Sequence, residues 1–452
     1  MYVSRSESRQ HNKKRKSRRI RRLLFFNLAM LIIICVLAAV YFSMRQSGDG
    51  RADPGSGDAN RQIAGNTSPG TGESGASAGK GRNNSGSEGS GNGASAGSDP
   101  AASGAGSGGS GVPEGQAPGG SAVKTSHDGR EESGGNGGKV TLSFVGDILL
   151  ASSVENLMEK NGYDYPYKKS LPFLTKPDIM AGNLETPITE RGLPAANKSY
   201  VFKGSPKSLP ALKNAGFDIV NLANNHTLDQ GVDGLLDTIG HLDEAGISNM
   251  GAGNDDAEAF KPAVLESNGV SVAYIGLTRV VPVASWKADK NRPGLAETYD
   301  STRALKAIRE AKKLANIVVV MVHWGIEKSD TPNADQKRLA HEYIDAGADL
   351  VIGSHPHVLQ GFEMYKGKWI SYSLGNYIFN VTKTDKTKDT GVLDAVCTGE
   401  GSCSLQFHPM RAALSQPAPL QGEQAAALLH RLSGLSINAT IDEDGYIKPK
   451  EQ

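Results

Sequence analysis

Residues 139–452 predict an α/β domain in which buried strands alternate with crossover helices. Seven apolar runs, rich in β-branched residues, have the length of buried strands. Longer segments between them carry apolar residues at helical spacing. Before residue 139 the composition changes to Gly and Ser, and one long apolar run stands near the N-terminus. We therefore expect the domain to follow a membrane anchor and a tether.

A basic tail and an apolar run open the chain. Residues 1–22 hold ten Lys and Arg residues, and residues 23–42 (LLFFNLAMLIIICVLAAVYF) carry no charge. A helix of that length spans about 30 Å, one hydrocarbon core. The basic tail favours a cytoplasmic N-terminus, with the remainder outside the cell. We expect an uncleaved, single-pass signal-anchor in the cell membrane; the alternative is a cleaved signal peptide, whose apolar region is normally shorter.

A long stretch of small residues separates the apolar run from the domain. Residues 46–138 contain 44 Gly or Ser residues and no aromatic residue. Such a segment cannot bury enough apolar surface to offset the entropy of ordering it, so we expect it to be disordered. As a flexible coil it has a reach of about 50–60 Å. The segment is therefore predicted to hold an extracellular domain, residues 139–452, away from the membrane.

The charge balance argues against a nucleic-acid-binding protein. The chain has 49 Lys and Arg against 48 Asp and Glu, and ten of the basic residues lie in the tail. The remainder is mildly acidic, so no nucleic acid is expected among the partners. Three cysteines are too few for a disulfide-dense scaffold. Cys397 and Cys403 flank a turn-like insert, where a cross-strand disulfide and two free thiols are both open.

The predicted strands and helices follow from local periodicity. The strands are short apolar runs at residues 140–146, 178–184, 217–223, 270–277, 316–324, 348–354 and 368–375. A helix over residues 231–246 places one apolar face at Leu235, Leu236, Ile239 and Leu242. A second, over residues 301–315, does the same with Leu305, Ile308 and Leu314. Near the end, residues 391–397 and 403–407 predict a hairpin, and residues 421–435 a closing helix.

Side chains suited to metal binding or acid–base chemistry recur where predicted strands end. They are Asp147, Asn183, Glu185, Asn224, Asn225, His226, His323, His355 and His357. Singly, each element has an ordinary explanation, such as a Gly-Asp turn, an Asn-rich loop or a core histidine. Ligand sites in α/β sheets collect at the carboxyl ends of the strands. Recurrence at five such ends therefore predicts one shared site.

The residue types at these ends indicate a metal centre. Two divalent cations about 3.5–4 Å apart need a bridging carboxylate and further imidazole, amide or carboxylate ligands. Such a pair can turn bound water into a hydroxide nucleophile near neutral pH. Mixed His, Asp, Glu and Asn donors suit Mn, Fe or Zn, so we expect one or two such divalent ions. No P-loop, nucleophile elbow or dinucleotide-binding pattern occurs at a suitable position in the sequence.

Six motifs resemble those of the CapA family, the capsule-synthesis proteins associated with bacterial poly-γ-glutamate. They are FVGDILL (144–150), GNLETP (182–187), NLANNHTLDQG (221–231), HWG (323–325), GSHPHV (353–358) and SLGNYIF (373–379). CapA proteins look like a branch of the calcineurin-like metallophosphoesterase superfamily. The resemblance therefore implies a four-layer α-β-β-α sandwich with a dinuclear metal site.

The resemblance also implies a role for seven of the candidate residues. Six of them match metal ligands: Asp147, Glu185, Asn225, His323, His355 and His357. Among these, Glu185 stands where the superfamily has its bridging Asp. His226 matches the histidine that contacts the substrate, which makes it the catalytic candidate. One position departs from the pattern, because the superfamily's first motif is Asp-x-His and the third position here is Leu149. One metal would therefore lack an imidazole ligand.

The function that the resemblance implies is poly-γ-glutamate biosynthesis or export by a membrane-anchored protein with an extracellular domain. The expected partners are the cytoplasmic membrane, membrane-bound polymer synthase or export subunits, and the anionic polymer itself. Two other hypotheses stay open. One is a metal-dependent hydrolase of the calcineurin-like phosphoesterase type, acting on phosphoesters or envelope polymers. The other is a catalytically silent scaffold.

Overall fold

A computed structural model describes residues 138–196, 198–380 and 384–451. The predicted basic tail, the anchor and, apart from its last residue, the tether lie outside these residues. The described ranges thus cover almost all of the domain predicted from residue 139 onward. Within them, no helix combines the length and the apolar character needed to cross a membrane.

Strands and helices alternate through most of the described chain. The strands are β1 (Lys139–Ile148), β2 (Ile179–Leu184), β3 (Phe217–Asn221), β4 (Ser248–Met250), β5 (Ala252–Gly253), β6 (Ala263–Ser267), β7 (Val270–Thr278), β8 (Gly294–Leu295) and β9 (Ile317–His323). They continue with β10 (Leu350–Ser354), β11 (Phe362–Tyr365), β12 (Lys368–Ser371), β13 (Asn376–Ile378), β14 (Asp389–Thr398), β15 (Cys403–Ala413), β16 (Gln416–Pro419), β17 (Ala439–Ile441) and β18 (Tyr446–Pro449). The α-helices are α1 (Ser153–Asn161), α2 (Leu171–Leu174), α3 (Leu209–Asn214), α4 (Gly231–Glu244), α5 (Asp256–Ala259), α6 (Thr302–Leu314), α7 (Ala334–Ala346) and α8 (Gly422–Leu435).

Most of the strands belong to two large sheets. Among the described residues, the first sheet has ten strands, in the order β17-β18-β15-β14-β1-β2-β3-β4, with β13 also paired to β1 and β16 to β15. The second has six, in the order β11-β12-β10-β9-β7-β6. Strands β1 to β4 run parallel to one another. Strands β7, β9, β10 and β12 are also parallel. In each sheet the parallel strands therefore end at a common edge.

Buried apolar side chains form three cores that set the order of the layers. One core joins the two sheets and includes Phe144 of β1 and Tyr274 of β7. A second packs the first sheet against α1, α3 and α4, with Met158 among its members. A third packs the second sheet against α6 and α7 around Ile308. The layers run helices, sheet, sheet, helices, as the resemblance implies, and the predicted α/β fold is confirmed.

Two predicted elements differ from the structure at their ends. The run at residues 368–375 is a strand of the second sheet as far as Ser371, after which the chain reaches the first sheet as β13. Helix α6 buries Ile308, but Leu314, predicted for the same buried face, is exposed. At 3.6 residues per turn, Leu314 lies about 120° around the helix axis from Ile308, so its side chain points away from the buried face.

The C-terminal hairpin is present and closed by a disulfide. Strands β14 and β15 pair antiparallel, with Cys397 directly opposite Cys403, and the two sulfur atoms are bonded. Of the two arrangements that the spacing left open, the structure has the cross-strand disulfide. Helix α7 is absent from the sequence prediction, although Asn333 and Gln336 begin it with a reciprocal capping box.

Candidate metal centre

The seven predicted site residues all lie at the carboxyl-terminal edge of parallel strands. The first sheet contributes Asp147 from β1, Glu185 after β2, and Asn225 with His226 after β3. The second contributes His323, the last residue of β9, and His355 with His357 after β10. Carboxylate and amide groups therefore come from one sheet and most of the imidazoles from the other.

The structure brings these side chains together in two overlapping groups. In one, ligand atoms of Asp147, Glu185 and His323 all lie within 4.8 Å of one another. In the other, the same holds for Glu185, His355 and His357. Glu185 belongs to both groups, which is the position that a bridging carboxylate needs. The sixth predicted ligand joins them, because Oδ1 of Asn225 lies 2.9 Å from Nε2 of His323.

A bulge in β1 aims Asp147 at the centre. The register of β1 against β2 shifts between Phe144 and Asp147, and the register against β13 shifts just after Asp147. Such irregularities turn a side chain out of the regular alternation of a strand. Gly146 permits the close crossing, since a Cβ there would lie 1.9 Å from the carbonyl oxygen of Gly375. Asn183 then donates from Nδ2 to Oδ1 of Asp147 at 2.9 Å.

The environment of Glu185 tests whether a metal fits. Its side chain is fully buried, and neither carboxylate oxygen has a hydrogen-bond partner among the described residues. Nε2 of His323 lies 3.7 Å from Oε1, and Nε2 of His226 lies 3.8 Å from it. Burial, and then the adjacent carboxylate of Asp147, raise the pKa of Glu185 well above its usual range. A buried, unpaired carboxylate of this kind is stabilised by a cation, so the residues present fit a divalent metal.

Two of the histidines are held neutral, the form that ligates metals. Burial, and then the nearby imidazole of His355, lower the pKa of His323 well below its usual value. Burial, and then His357, lower the pKa of His355 to about 3. Nδ1 of His355 is buried and has no hydrogen-bond partner in the described part of the chain. Both imidazoles therefore present lone pairs where the centre needs donors.

His357 differs from its neighbour in charge. Burial opposes a positive charge on this imidazole, but the carboxylates of Glu185 and Asp147 outweigh burial and raise the pKa of His357 to about 9. Nδ1 of His357 lies 2.8 Å from Oδ1 of Asn376 and 3.3 Å from Oδ2 of Asp147. Without a metal, the proton on His357 supplies part of the positive charge that the carboxylates require.

Backbone strain concentrates at the two histidines after β10. His355 has a φ of 95° and His357 a φ of 57°, both in the region that favours glycine. Residues held in such conformations cost on the order of 1–3 kcal/mol each and cluster at functional sites. The backbone N–H of His355 donates to Oδ2 of Asp147 at 3.3 Å, which ties the strained segment to the first sheet.

His226 stands beside the ligand groups, positioned by an acidic residue one turn along the chain. Its Nδ1 lies 2.7 Å from Oδ2 of Asp229, and Nζ of Lys198 lies 2.9 Å from the same nitrogen. These contacts leave Nε2 facing Glu185. Burial lowers the pKa of His226, although Asp229 acts in the opposite direction. The side chain is thus placed to exchange a proton with a group bound at the centre.

Sequence reasoning missed Lys198 and Asp229 as members of the site and gave Asn183 no role. Asp229 and Asn183 both lie inside motifs that carry the resemblance, and that was a usable signal. Lys198 lies in a connection without any local pattern, and only the fold brings it to His226. Leu149 is fully buried and apolar, so it supplies no ligand, as expected.

Comparison with known proteins identifies the family. Residues 141–381 match the family model described as bacterial capsule synthesis protein PGA_cap, and this range covers more than half of the chain and every candidate ligand. The chain belongs to this capsule synthesis family. The resemblance noted from the motifs is confirmed.

Relatives of the capsule synthesis family are similar over most of their own length. The PGA biosynthesis protein CapA of Bacillus subtilis (strain 168) is 36% identical over 312 residues, which cover 68% of this chain and 81% of the relative. The capsule biosynthesis protein CapA of Bacillus anthracis is 35% identical over 289 residues, covering 62% and 70%. A probable polyglutamine synthesis accessory protein of Mycobacterium tuberculosis (strain ATCC 25618 / H37Rv) is 29% identical over 286 residues, covering 54% and 75%.

Solved structures give more distant matches. A 5'-nucleotidase from Candida albicans SC5314 aligns with 10% identity over 59% of this chain and 51% of its own, at a TM-score of 0.33. The sulfate thiohydrolase SoxB of Thermus thermophilus aligns with 14% identity over 63% and 50%, at a TM-score of 0.34. At these TM-scores, the fold of this chain is established by its own sheets and helices.

Proposed function

We propose that this chain acts in poly-γ-glutamate capsule biosynthesis or export through a divalent metal centre at the edge of its two sheets. The observation that carries the proposal is the buried carboxylate of Glu185, which has no hydrogen-bond partner among the described residues and belongs to both ligand groups of a member of the capsule synthesis family. The two Bacillus relatives, a PGA biosynthesis protein and a capsule biosynthesis protein, supply the pathway. The polymer is polyanionic, so a cationic centre suits contact with it.

Each residue of the centre has a defined task in this proposal. Asp147, Glu185, Asn225 and the three histidines of β9 and the β10 loop hold one or two ions, with Mn, Fe or Zn suiting the mixed donors. When bound, such ions polarise a substrate oxygen and lower the pKa of bound water. His226, oriented by Asp229, holds or moves a proton at Nε2. Asn183 fixes the carboxylate of Asp147.

The organisation of the whole chain completes the proposal. Residues 1–22 form a cytoplasmic basic tail, residues 23–42 a single membrane-spanning helix, and residues 46–138 a disordered tether. The domain from residue 139 to 452 then works outside the cell, next to membrane-bound polymer synthase or export subunits. The charge and composition of the N-terminal segments support this arrangement.

A second candidate function is hydrolysis of phosphoesters or envelope polymers. It is favoured by the pairing of His226 with Asp229 beside the ligand groups, an arrangement suited to general acid–base catalysis. A scaffold without catalysis is the third hypothesis. A scaffold has no need for a buried carboxylate such as that of Glu185, which lacks a hydrogen-bond partner among the described residues.

The experiment compares two Glu→Ala variants in a capsule-forming strain that lacks its own copy of the gene. Glu185→Ala removes the shared carboxylate, so we expect loss of metal from the purified full chain and loss of polymer production in the strain. Glu190→Ala, at an exposed position in the same connection, is the matched control and should preserve both. Metal is measured by elemental analysis and polymer by extraction and assay of hydrolysed glutamate. Full polymer production by the Glu185→Ala strain, at equal protein level, would establish the scaffold instead.

A further inference from the structure

We propose that a row of cations laid on aromatic rings beside the metal centre binds the carboxylates of the anionic polymer. The row consists of Lys198, Trp286, Lys287, Tyr299 and Arg279, and we call it the cationic rim. This inference rests on the proposed function and deepens it, because it names the surface that would hold the substrate.

Both ends of the cationic rim contact residues of the metal centre. Nζ of Lys198 lies 2.9 Å from Nδ1 of His226 and 5.4 Å from the ring centre of Trp286. At the other end, the backbone N–H of Arg279 donates to the carbonyl oxygen of His323 at 2.8 Å. A polymer lying along the rim would therefore pass next to the ligand groups.

Two of the cations share one aromatic ring. The guanidinium carbon of Arg279 lies 4.2 Å from the ring centre of Tyr299, and Nζ of Lys287 lies 4.4 Å from the same point. Two cations on one ring repel each other, so nearby anions stabilise the arrangement. Each cation has an acidic partner: Oε2 of Glu297 lies 3.5 Å from Nζ of Lys287, and Oδ2 of Asp335 lies 3.2 Å from Nη2 of Arg279.

Arg279 has hydrogen-bond donors that the described residues do not use. Nη2 donates to Oδ2 of Asp335, but Nε and Nη1 are buried and have no partner within the described ranges. Buried polar groups are normally paired, so unpaired guanidinium N–H groups point to a missing acceptor. A guanidinium N–H forms a strong, charge-assisted hydrogen bond with a carboxylate oxygen. Nε and Nη1 point to different edges of the guanidinium, so each would take its own acceptor oxygen.

The outward face of the cationic rim is more positive than its composition suggests. Asp229 and Glu297, which pair with Lys198 and Lys287, are almost fully buried, whereas the side chain of Lys287 is 31% exposed. Asp335 is exposed, but it is shared between Arg279 and a second arginine of α7. Poly-γ-glutamate leaves one free carboxylate on every residue, and a row of cations matches such a repeated charge.

The basic residues 1–22 also attract a polyanion, so the test must follow each lysine separately. It is a lysine-labelling experiment on the purified full-length chain. An amine-acylating reagent is applied with and without poly-γ-glutamate, and labelling of each lysine is followed by mass spectrometry. At a polymer concentration about ten times its Kd, labelling of Lys287 should slow about tenfold. Lys290, exposed in the same loop, should label at an unchanged rate. Arg279→Gln should raise the Kd by roughly tenfold, whereas Arg309→Gln on the exposed face of α6 should not.

Two results would overturn the inference. In the first, Lys287 and Lys290 are slowed equally, which means that the polymer binds without using the rim. In the second, polyphosphate protects Lys287 as well as poly-γ-glutamate does, which means that the rim does not select carboxylates. The experiment is run on chelated protein and needs no turnover. Protection of Lys287 together with polymer production by Glu185→Ala cells would therefore refute the proposed function and leave the rim standing.

Discussion

His355 and His357 are two residues apart, yet the pKa of the first falls to about 3 and that of the second rises to about 9. Both follow β10, and desolvation lowers the pKa of both. The difference comes from the carboxylates of Glu185 and Asp147, whose charges act on His357 strongly enough to outweigh burial. Neighbouring charge therefore sets the protonation of each imidazole.

Metal binding should release a proton from His357. Below pH 9 this imidazole is protonated in the metal-free protein, and a metal ion must displace that proton. Apparent affinity should therefore fall as the pH is lowered, by about tenfold per unit for one proton, and should level off above pH 9. Calorimetric titration with Zn²⁺ or Mn²⁺ at several pH values, in buffers of different ionisation enthalpy, measures both effects. Affinity independent of pH, with no proton released, would contradict the assignment of His357 as a ligand.

His226→Ala separates proton transfer from metal binding. The imidazole is held by Asp229 and stands beside the ligand groups, so metal content and thermal stability should change little. Activity at the centre should fall by about 10²–10⁴-fold, the usual contribution of a general acid or base. Elemental analysis, thermal unfolding and polymer production are measured on the same variant. Loss of metal would make His226 a ligand, and undiminished polymer production would make it a structural loop residue.

At the scale of elements, the crossing of β1 with the chain at Gly375 is the tightest constraint on the centre. A Cβ at residue 146 would lie 1.9 Å from a backbone oxygen that cannot move without shifting β13. The bulge at this point is also what aims Asp147. Packing and ligand geometry therefore depend on the same glycine.

Gly146→Ala should destabilise the domain and weaken metal binding together. We expect a loss of about 1–3 kcal/mol in the free energy of unfolding, the usual cost of overpacking, and weaker binding because Asp147 moves. Urea unfolding and metal titration measure the two effects. Gly240→Ala is the control, since a Cβ there meets nothing within 4 Å and the residue lies inside α4. That variant should be neutral or more stable by up to about 1 kcal/mol. Equal stability of the two variants would show that the crossing can relax.

For the whole molecule, the property to test is membrane topology, that is, which side of the membrane each segment lies on. Protease added to intact cells should remove the domain beyond residue 138 and leave residues 1–22 protected, because the basic tail favours the cytoplasmic side. Immunoblotting with tags at each end follows both fragments, and permeabilised cells are the control in which the tail is also cleaved. Cleavage of the tail in sealed cells would reverse the proposed orientation.

The α/β class, the strand ends that carry candidate ligands and the residue types of the candidate metal centre follow from the amino-acid sequence alone. Local periodicity indicates which residues are buried, and motifs such as GSHPHV are contiguous in the sequence. Both can therefore be recognised without knowing the fold. The fold was needed to show that β1, β2 and β3 lie in one sheet and that β9 and β10 lie in the other. Strand pairing is non-local, and for that reason the shared position of Glu185 and the contact of Lys198 with His226 could not be derived from spacing. The Arg279 donors that lack a partner in the described part of the chain could not be predicted either, because hydrogen-bond satisfaction depends on neighbours that are distant in the chain.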